Sequence, residues 1–312
     1  MKIYNSINSI EYNPDRIITV GSFDGLHRGH KEIIRAVSEQ ASNKGLSSLL
    51  ITFEPHPQTI VNNPDKPPIK LLTDKTEKER LLSELGIDEM LFLNFTKEFA
   101  ELPPKDFMQD ILFNKIGFRK IIIGYDHVFG KSRSGDFNLL MNLGKDLGFK
   151  IERIAALESD NTIISSTNIR KLISEKRLEE ANYMLGHRYR VLGEVVKGNR
   201  LGRTIGFPTA NVKTESIHKL LPGNGVYLVA VRLGTKKYWG MANIGLRPTV
   251  VNETTPLLEV NIFDFDDEIY GELICVEFFR YMRDEEKFGN IDLLKAQLEK
   301  DKNNCQLIAK NL

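Results

Sequence analysis

The chain has 312 residues, enough for two domains of ordinary size. Its 43 lysines and arginines against 42 aspartates and glutamates leave a net charge of +1, so nothing in the composition draws it to nucleic acid or an anionic membrane. Two cysteines cannot build a disulfide framework, no apolar run approaches a membrane span, and Met1-Lys2-Ile3-Tyr4-Asn5 lacks a signal-peptide core, so a reducing, cytoplasmic setting is expected.

The first predicted strand, Arg16–Val20, is apolar and β-branched, and helical spacing runs through Glu32–Val37 and beyond with Gly45 as its stop. Between them lies Gly21-Ser22-Phe23-Asp24-Gly25-Leu26-His27-Arg28-Gly29-His30. A strand-to-helix junction exposes backbone N–H groups and the positive end of a helix dipole to an anion. If the helix has begun by Arg28, His27 and His30 lie near one face, and both can donate hydrogen bonds to phosphate oxygens. His-x-Gly-His alone fits a solvated surface turn equally well, and a zinc site is disfavoured because Cys275 and Cys305 lie far away in sequence.

Apolar runs at Leu46–Phe53, Glu89–Phe95, Arg119–Gly124 and Lys150–Ala155 alternate with helical patterns such as Asp74–Leu85 and Lys105–Ile116. That alternation predicts an α/β domain, a parallel sheet covered by helices, whose ligands bind beyond the carboxyl ends of the strands. His27 and His30, then Glu54-Pro55-His56-Pro57, then Tyr125-Asp126 all fall at such ends. Gly124-Tyr125-Asp126-His127-Val128-Phe129-Gly130, with Lys131 and Arg133 after it, suits a nucleotide pocket, although Asp126 equally suits the capping of a turn. Ser165, Ser166 and Thr167 at an apparent helix start read as N-caps, or, with the Arg170 guanidinium, as a grip on a triphosphate. Helical pattern over Asn168–Leu185 leads into the join, which places the domains at 1–185 and 186–312.

Beyond His187 the chain becomes short strands with Gly- and Pro-rich turns: Tyr189–Val196, Gly225–Leu233, Tyr238–Asn243, Leu257–Asp264 and Glu272–Tyr281. These predict an antiparallel β-barrel, with a final helix over Ile291–Leu312 packed on it. Gly198-Asn199-Arg200-Leu201-Gly202-Arg203-Thr204-Ile205-Gly206-Phe207-Pro208-Thr209-Ala210-Asn211 spaces glycines every four residues beside two arginines and ends in a Pro-Thr-Ala-Asn turn. Glycines admit phosphates close to the backbone, and a threonine hydroxyl with an asparagine carbonyl can hold a magnesium ion. The string does not match the ordinary P-loop.

The His-x-Gly-His block, Thr52–Pro57, Gly124–Gly130 and Ile164–Arg170, in this order, resemble the Rossmann-like nucleotidylyltransferase half of bacterial bifunctional riboflavin kinase/FAD synthetases. The Gly198–Asn211 string, with Ala242-Asn243-Ile244-Gly245-Leu246-Arg247-Pro248-Thr249, Glu259 ahead of Phe263-Asp264-Phe265, and Tyr270-Gly271, resembles the flavokinase barrel of the same family. The resemblance implies two activities: riboflavin plus ATP gives FMN and ADP, then FMN plus ATP gives FAD and pyrophosphate; the alternative is the same fold with one active half. It implies that His27 and His30 stabilise the ATP phosphates, and that Arg170 with Ser165, Ser166 and Thr167 holds the β/γ end. Gly21, Phe23, Asp24, Gly29 and Asp126 would belong to that nucleotide pocket. In the barrel, Thr209 and Asn211 would bind Mg²⁺-ATP beside Gly198, Gly202, Arg203, Gly206 and Pro208. Glu259 would be the base, and Arg283 a flap residue near the flavin. His127 and Asn261 stand where the family usually has phenylalanine and often has histidine. The implied partners are small molecules, with two ATP sites and no nucleic acid or membrane; weak self-association is left open.

Overall fold

The computed structural model describes residues 1–61, 67–131, 134–159, 162–198, 201–248 and 254–312; Arg133, Asn199, Arg200 and Thr249 lie outside them. The chain divides into two compact units, Met1–Ile69 with Lys75–Ser165, and Lys70–Asp74 with Ser166–Leu312.

The first unit is built on a parallel six-stranded sheet, as the alternating pattern predicts. Its strands are β1 (Lys2–Tyr4), β2 (Arg16–Val20), β3 (Ser47–Glu54), β4 (Glu89–Asn94), β5 (Lys120–Gly124) and β6 (Lys150–Ile154), in the order β1-β4-β3-β2-β5-β6. Parallel strands covered on both faces must be apolar at nearly every position. Ile18, Val20, Leu49, Ile51, Leu91, Leu93, Ile121 and Ile123 pack into one core, and the intervening Ile17, Leu50, Met90, Phe92 and Ile122 into another. The helix Arg28–Ser42 supplies Ile33, Ile34, Val37 and Ala41 to the second core. The predicted helix over Lys105–Ile116 forms, wound as a π-helix from Phe107 to Ile116, where it buries Phe107, Met108, Leu112 and Ile116. Edge strand β1 was not expected, because three residues carry too little periodicity to register. A two-stranded hairpin follows, β7 (Glu158–Ser159) and β8 (Thr162–Ile163).

The second unit is a closed antiparallel barrel. Its strands are β9 (Tyr189–Val196), β10 (Ala210–Thr214), β11 (Gly225–Leu233), β12 (Lys236–Pro248), β13 (Thr254–Ile262) and β14 (Leu273–Arg283), in the order β10-β13-β12-β11-β14-β9. Closure removes the exposed edges that an open sheet of this size would carry. The Pro-Thr-Ala-Asn segment, read as a turn from sequence, ends inside β10: Asn211 pairs with Val196 and with Glu259. The helical pattern over Asn168–Leu185 is two helices, Ser166–Ser174 and Leu178–Leu185. Lys176, at φ +67°, reverses the chain between them. Both group with the barrel by compactness, whereas the sequence changes rhythm only near residue 187. Buried Asn182 ties the second helix to the barrel, its Nδ2 donating to the Phe278 carbonyl at 3.0 Å while its Oδ1 accepts from the Tyr189 N–H at 2.6 Å. The final helix, Ile291–Ala309, is capped by Asn290 and packs Cys305 against Leu228, Ala230 and Met241. Cys275 and Cys305 are not joined to each other in a disulfide.

Candidate active sites

In the first unit, β3, β2 and β5 are parallel neighbours, so their carboxyl ends, Glu54, Val20 and Gly124, open on the same edge of the sheet. The Gly21–His30 block leaves that edge from β2. Phe23 and Leu26 sit at φ +46° and +41°, left-handed values that cost a non-glycine residue about 1–3 kcal/mol each and persist only where the surroundings enforce them. Both side chains are buried, as is Asp24. His27 caps the helix: its Nδ1 accepts the His30 backbone N–H at 3.3 Å. A nitrogen that accepts carries no proton, so the neutral His27 ring is the tautomer with its proton on Nε2, a donor. The His30 ring stacks on His27 with centroids 3.6 Å apart, and meets the Phe23 ring edge-on at 5.2 Å. Gly21 precedes Phe23 at the end of the strand, and Gly29 stands in the first turn between the two imidazoles. The expectation that both histidines lie near one face at the helix start is met.

Sequence reasoning missed Lys78. On the helix Lys75–Ser83 it is buried with Leu81 and Leu82, the i+3 and i+4 positions, so it occupies the apolar stripe. Its Nζ donates to the Ser22 carbonyl at 2.8 Å and to Thr52 Oγ1 at 3.3 Å. Burial holds this ammonium below the ordinary lysine range, partly offset by the charges of Asp24 and Glu54. A lysine on the hydrophobic face of an amphipathic helix was the signal available to find it.

Asp126 is exposed in the turn after β5, and the His127 N–H closes that turn onto the Gly124 carbonyl at 3.3 Å. The His127 ring stacks on Phe129, centroids 5.6 Å apart, so it still contributes an aromatic face where the family usually has phenylalanine. His56 caps a short turn, its Nδ1 accepting from the Gln58 N–H at 3.2 Å. Ser165 closes the first unit, whereas Ser166, Thr167 and Arg170 begin the second, where Arg170 Nε donates to the Lys70 carbonyl at 2.8 Å.

In the barrel, Glu259 of β13 is directly opposite Asn211 of β10 on one side and Asn243 of β12 on the other. Directly opposed residues share a face of a sheet, so three polar side chains from distant sequence form one row. Asn243 Nδ2 donates to Glu285 Oε1 at 3.0 Å. Asn261, two residues beyond Glu259, is buried and donates to the Pro208 carbonyl at 2.7 Å, so the side chain standing where the family often has histidine anchors the segment that presents Thr209. Arg203, Pro208 and Thr209 line one open pocket with Phe265, Glu268 and Tyr270, so two separated motif segments meet there. Arg203 pairs with Glu268 at 3.1 Å, both largely exposed, and Gly206 stands at φ +83° in the turn before Phe207. Arg283, expected near the flavin, is held on the final helix: its Nε and Nη2 fork onto Asp301 at 2.9 and 2.7 Å.

Among the described residues, the buried Asn211 Oδ1 has no hydrogen-bond partner. An orphaned amide oxygen in the interior is costly unless something binds it, and an oxygen donor two residues from the half-buried Thr209 hydroxyl suits a hard cation such as magnesium. Gly198 keeps that amide in place: a Cβ there would lie 2.2 Å from Asn211 Nδ2. Gly198→Ala is therefore expected to displace Asn211 and slow phosphate transfer in the barrel about tenfold or more, without changing chemistry in the first unit. Separate rate measurements for the two reactions check this.

A parallel sheet that aims a His-x-Gly-His helix start off its carboxyl edge, joined to a closed barrel with a glycine-spaced Thr-Asn site, defines a two-unit nucleotide-dependent transferase. The FAD synthetase family model matches residues 9–168 and the riboflavin kinase model matches residues 185–309. Bifunctional riboflavin kinase/FMN adenylyltransferases of Escherichia coli K12 and Buchnera aphidicola from Acyrthosiphon pisum are 38% and 37% identical over 304 residues, covering 96% of each chain. The Listeria monocytogenes enzyme of the same name is 37% identical over 92% of this chain and 90% of its own. A crystal structure named as a macrolide-efflux protein from Streptococcus pneumoniae superposes with a TM-score of 0.87 at 31% identity, covering 97% of this chain and 98% of the other. Among the described residues no helix is long and apolar enough to cross a membrane. The chain belongs to the bifunctional riboflavin kinase/FMN adenylyltransferase family.

Proposed function

We infer that this protein phosphorylates riboflavin with ATP to give FMN, then transfers AMP from a second ATP to FMN, giving FAD and pyrophosphate. The observation that carries this reading is that both family models match, in order, over nearly the whole chain, each on a segment bearing its own motif. Residues 1–185 are assigned the adenylyl transfer and residues 186–312 the kinase reaction.

In adenylyl transfer a phosphate oxygen of FMN attacks the α-phosphorus of ATP in line as the bond to pyrophosphate breaks. No covalent enzyme intermediate is needed, so the protein acts by positioning and by offsetting developing negative charge. His27 and His30 fill that role at the helix start; Gly21, Phe23, Asp24, Gly29 and Asp126 shape the nucleotide pocket. Ser165, Ser166, Thr167 and Arg170 keep the phosphate-binding role that the family pattern implies. In the kinase reaction the ribityl 5′-hydroxyl attacks the γ-phosphorus, and Glu259 takes its proton. Thr209 and Asn211 would hold magnesium, which when bound neutralises phosphate charge. Gly198, Gly202, Arg203, Gly206 and Pro208 shape the phosphate-binding turn, and Arg283 acts from the edge of the flavin site. The reading has the enzyme working in the cytoplasm on small-molecule partners.

The test is to incubate the purified chain with Mg²⁺-ATP and either riboflavin or FMN, and to separate the flavins over time. FMN followed by FAD from riboflavin, and FAD from FMN, is the expected result. FAD from FMN alone would leave the barrel silent, FMN alone would leave the first unit silent, and no conversion would overturn both assignments.

A further inference from the structure

The mechanism above uses no group from the helix Lys75–Ser83, yet that helix sends one fully buried cation to the loop that carries the histidines. Lys78 is 3% exposed, and its ammonium donates to the carbonyl of Ser22 and to Thr52 Oγ1, which itself donates to the same carbonyl at 3.2 Å. Ser22 is the residue immediately before Phe23, the first of the two left-handed positions in the block. The direction of the Ser22 carbonyl sets the peptide plane from which Phe23 starts, and the Phe23 ring in turn meets the His30 imidazole edge-on. The chain of contacts therefore runs from Lys78 through Ser22 and Phe23 to His30.

We propose that Lys78 is a positioning residue for adenylyl transfer: by pinning the Ser22 carbonyl from the protein interior it holds the Phe23–Leu26 turn in its left-handed conformation and thereby sets the stacked His27–His30 pair. An ammonium suits this task because it offers three donors around one point, enough for the carbonyl and the Thr52 hydroxyl at once. An apolar side chain of similar length fills the space but leaves the carbonyl to the longer Thr52 hydroxyl bond alone. Lys78 does not itself touch the reacting atoms in this scheme; its effect passes through the histidines.

This inference rests on the assignment of adenylyl transfer to the His27–His30 site. The experiment compares Lys78→Met, His30→Ala and the double variant in the full chain, measuring FAD formation from FMN and, in the same preparations, FMN formation from riboflavin. Displacing a catalytic group by about 1 Å costs on the order of a hundredfold, so Lys78→Met is expected to slow FAD formation about a hundredfold with FMN formation unchanged. The double variant is expected to lose clearly less than the product of the two single losses, because residues acting as one unit are not additive. A merely structural role would lower both activities with the folded fraction, and would add to the His30→Ala loss. FAD formation by Lys78→Met within about threefold of the parent, or additive losses in the double variant, overturns the inference. Undiminished FAD formation in His30→Ala overturns the site assignment instead. If Lys78→Met does not melt cooperatively, Lys78→Leu, which likewise has no donor, is read against the same thresholds.

Discussion

Replacing His30 by alanine is expected to cut FAD formation about a thousandfold while riboflavin is still converted to FMN, so that FMN accumulates where FAD would otherwise appear. The magnitude follows from removing one preorganised donor from a site where charge develops, which costs about 10²–10³ in rate, together with the loss of the ring that stacks on His27 at 3.6 Å. His30 lies in the first turn of its helix, and the cap bond runs from its backbone N–H to His27 Nδ1, so alanine leaves the cap and the helix start in place. The variant should therefore melt like the parent, and its intact kinase rate is an internal control for folding. Chromatographic separation of the flavins over time reads both activities from one tube. Loss of both reactions in a folded protein would mean that the two are not housed in separate units.

Glu259→Gln is expected to give the mirror image: FMN formation falls by about 10²–10⁴, the usual worth of a positioned general base, while supplied FMN is still converted to FAD. Glutamine preserves size and hydrogen-bonding reach, and Glu259 sits mid-strand between Asn211 and Asn243, so the register of β10, β13 and β12 survives the change. The residual kinase rate should have lost its dependence on a carboxylate proton acceptor, leaving water in that role. An unchanged kinase rate would reduce Glu259 to a strand residue in a polar row and would send the search for the base elsewhere in the barrel.

The two sites differ in how far they could be read from the residues alone. Gly21–His30 is one continuous stretch, and a strand running into a helix fixes the neighbours of each residue within a turn or two; given a helix begun by Arg28, the shared face of the histidines followed, and the helix does start there. The row Asn211–Glu259–Asn243 joins three strands from widely separated parts of the chain. Each residue type could be suspected from its motif, but their placement side by side needed the pairing register. The turn assigned to Pro208–Asn211 became the entry to β10 because a five-residue strand with two partners is stabilised by ladder bonds that no local pattern announces. The helix expected over Asn168–Leu185 breaks at Lys176, where a non-glycine residue takes φ +67°, a value that residue type alone does not signal.

The order of strands and helices, the change from parallel-sheet rhythm to barrel rhythm, the strand-to-helix histidine block and the glycine-spaced string were all present in the amino-acid pattern. Hydrophobic periodicity and turn chemistry act over a few residues and leave their mark locally. Folding alone put Lys78 beneath Ser22, closed the barrel so that Glu259 met both asparagines, and buried the Asn211 oxygen. Those arrangements depend on which residues distant in sequence are pressed together when apolar faces are removed from water, and burial of that kind is a property of the assembled core rather than of any short stretch of chain.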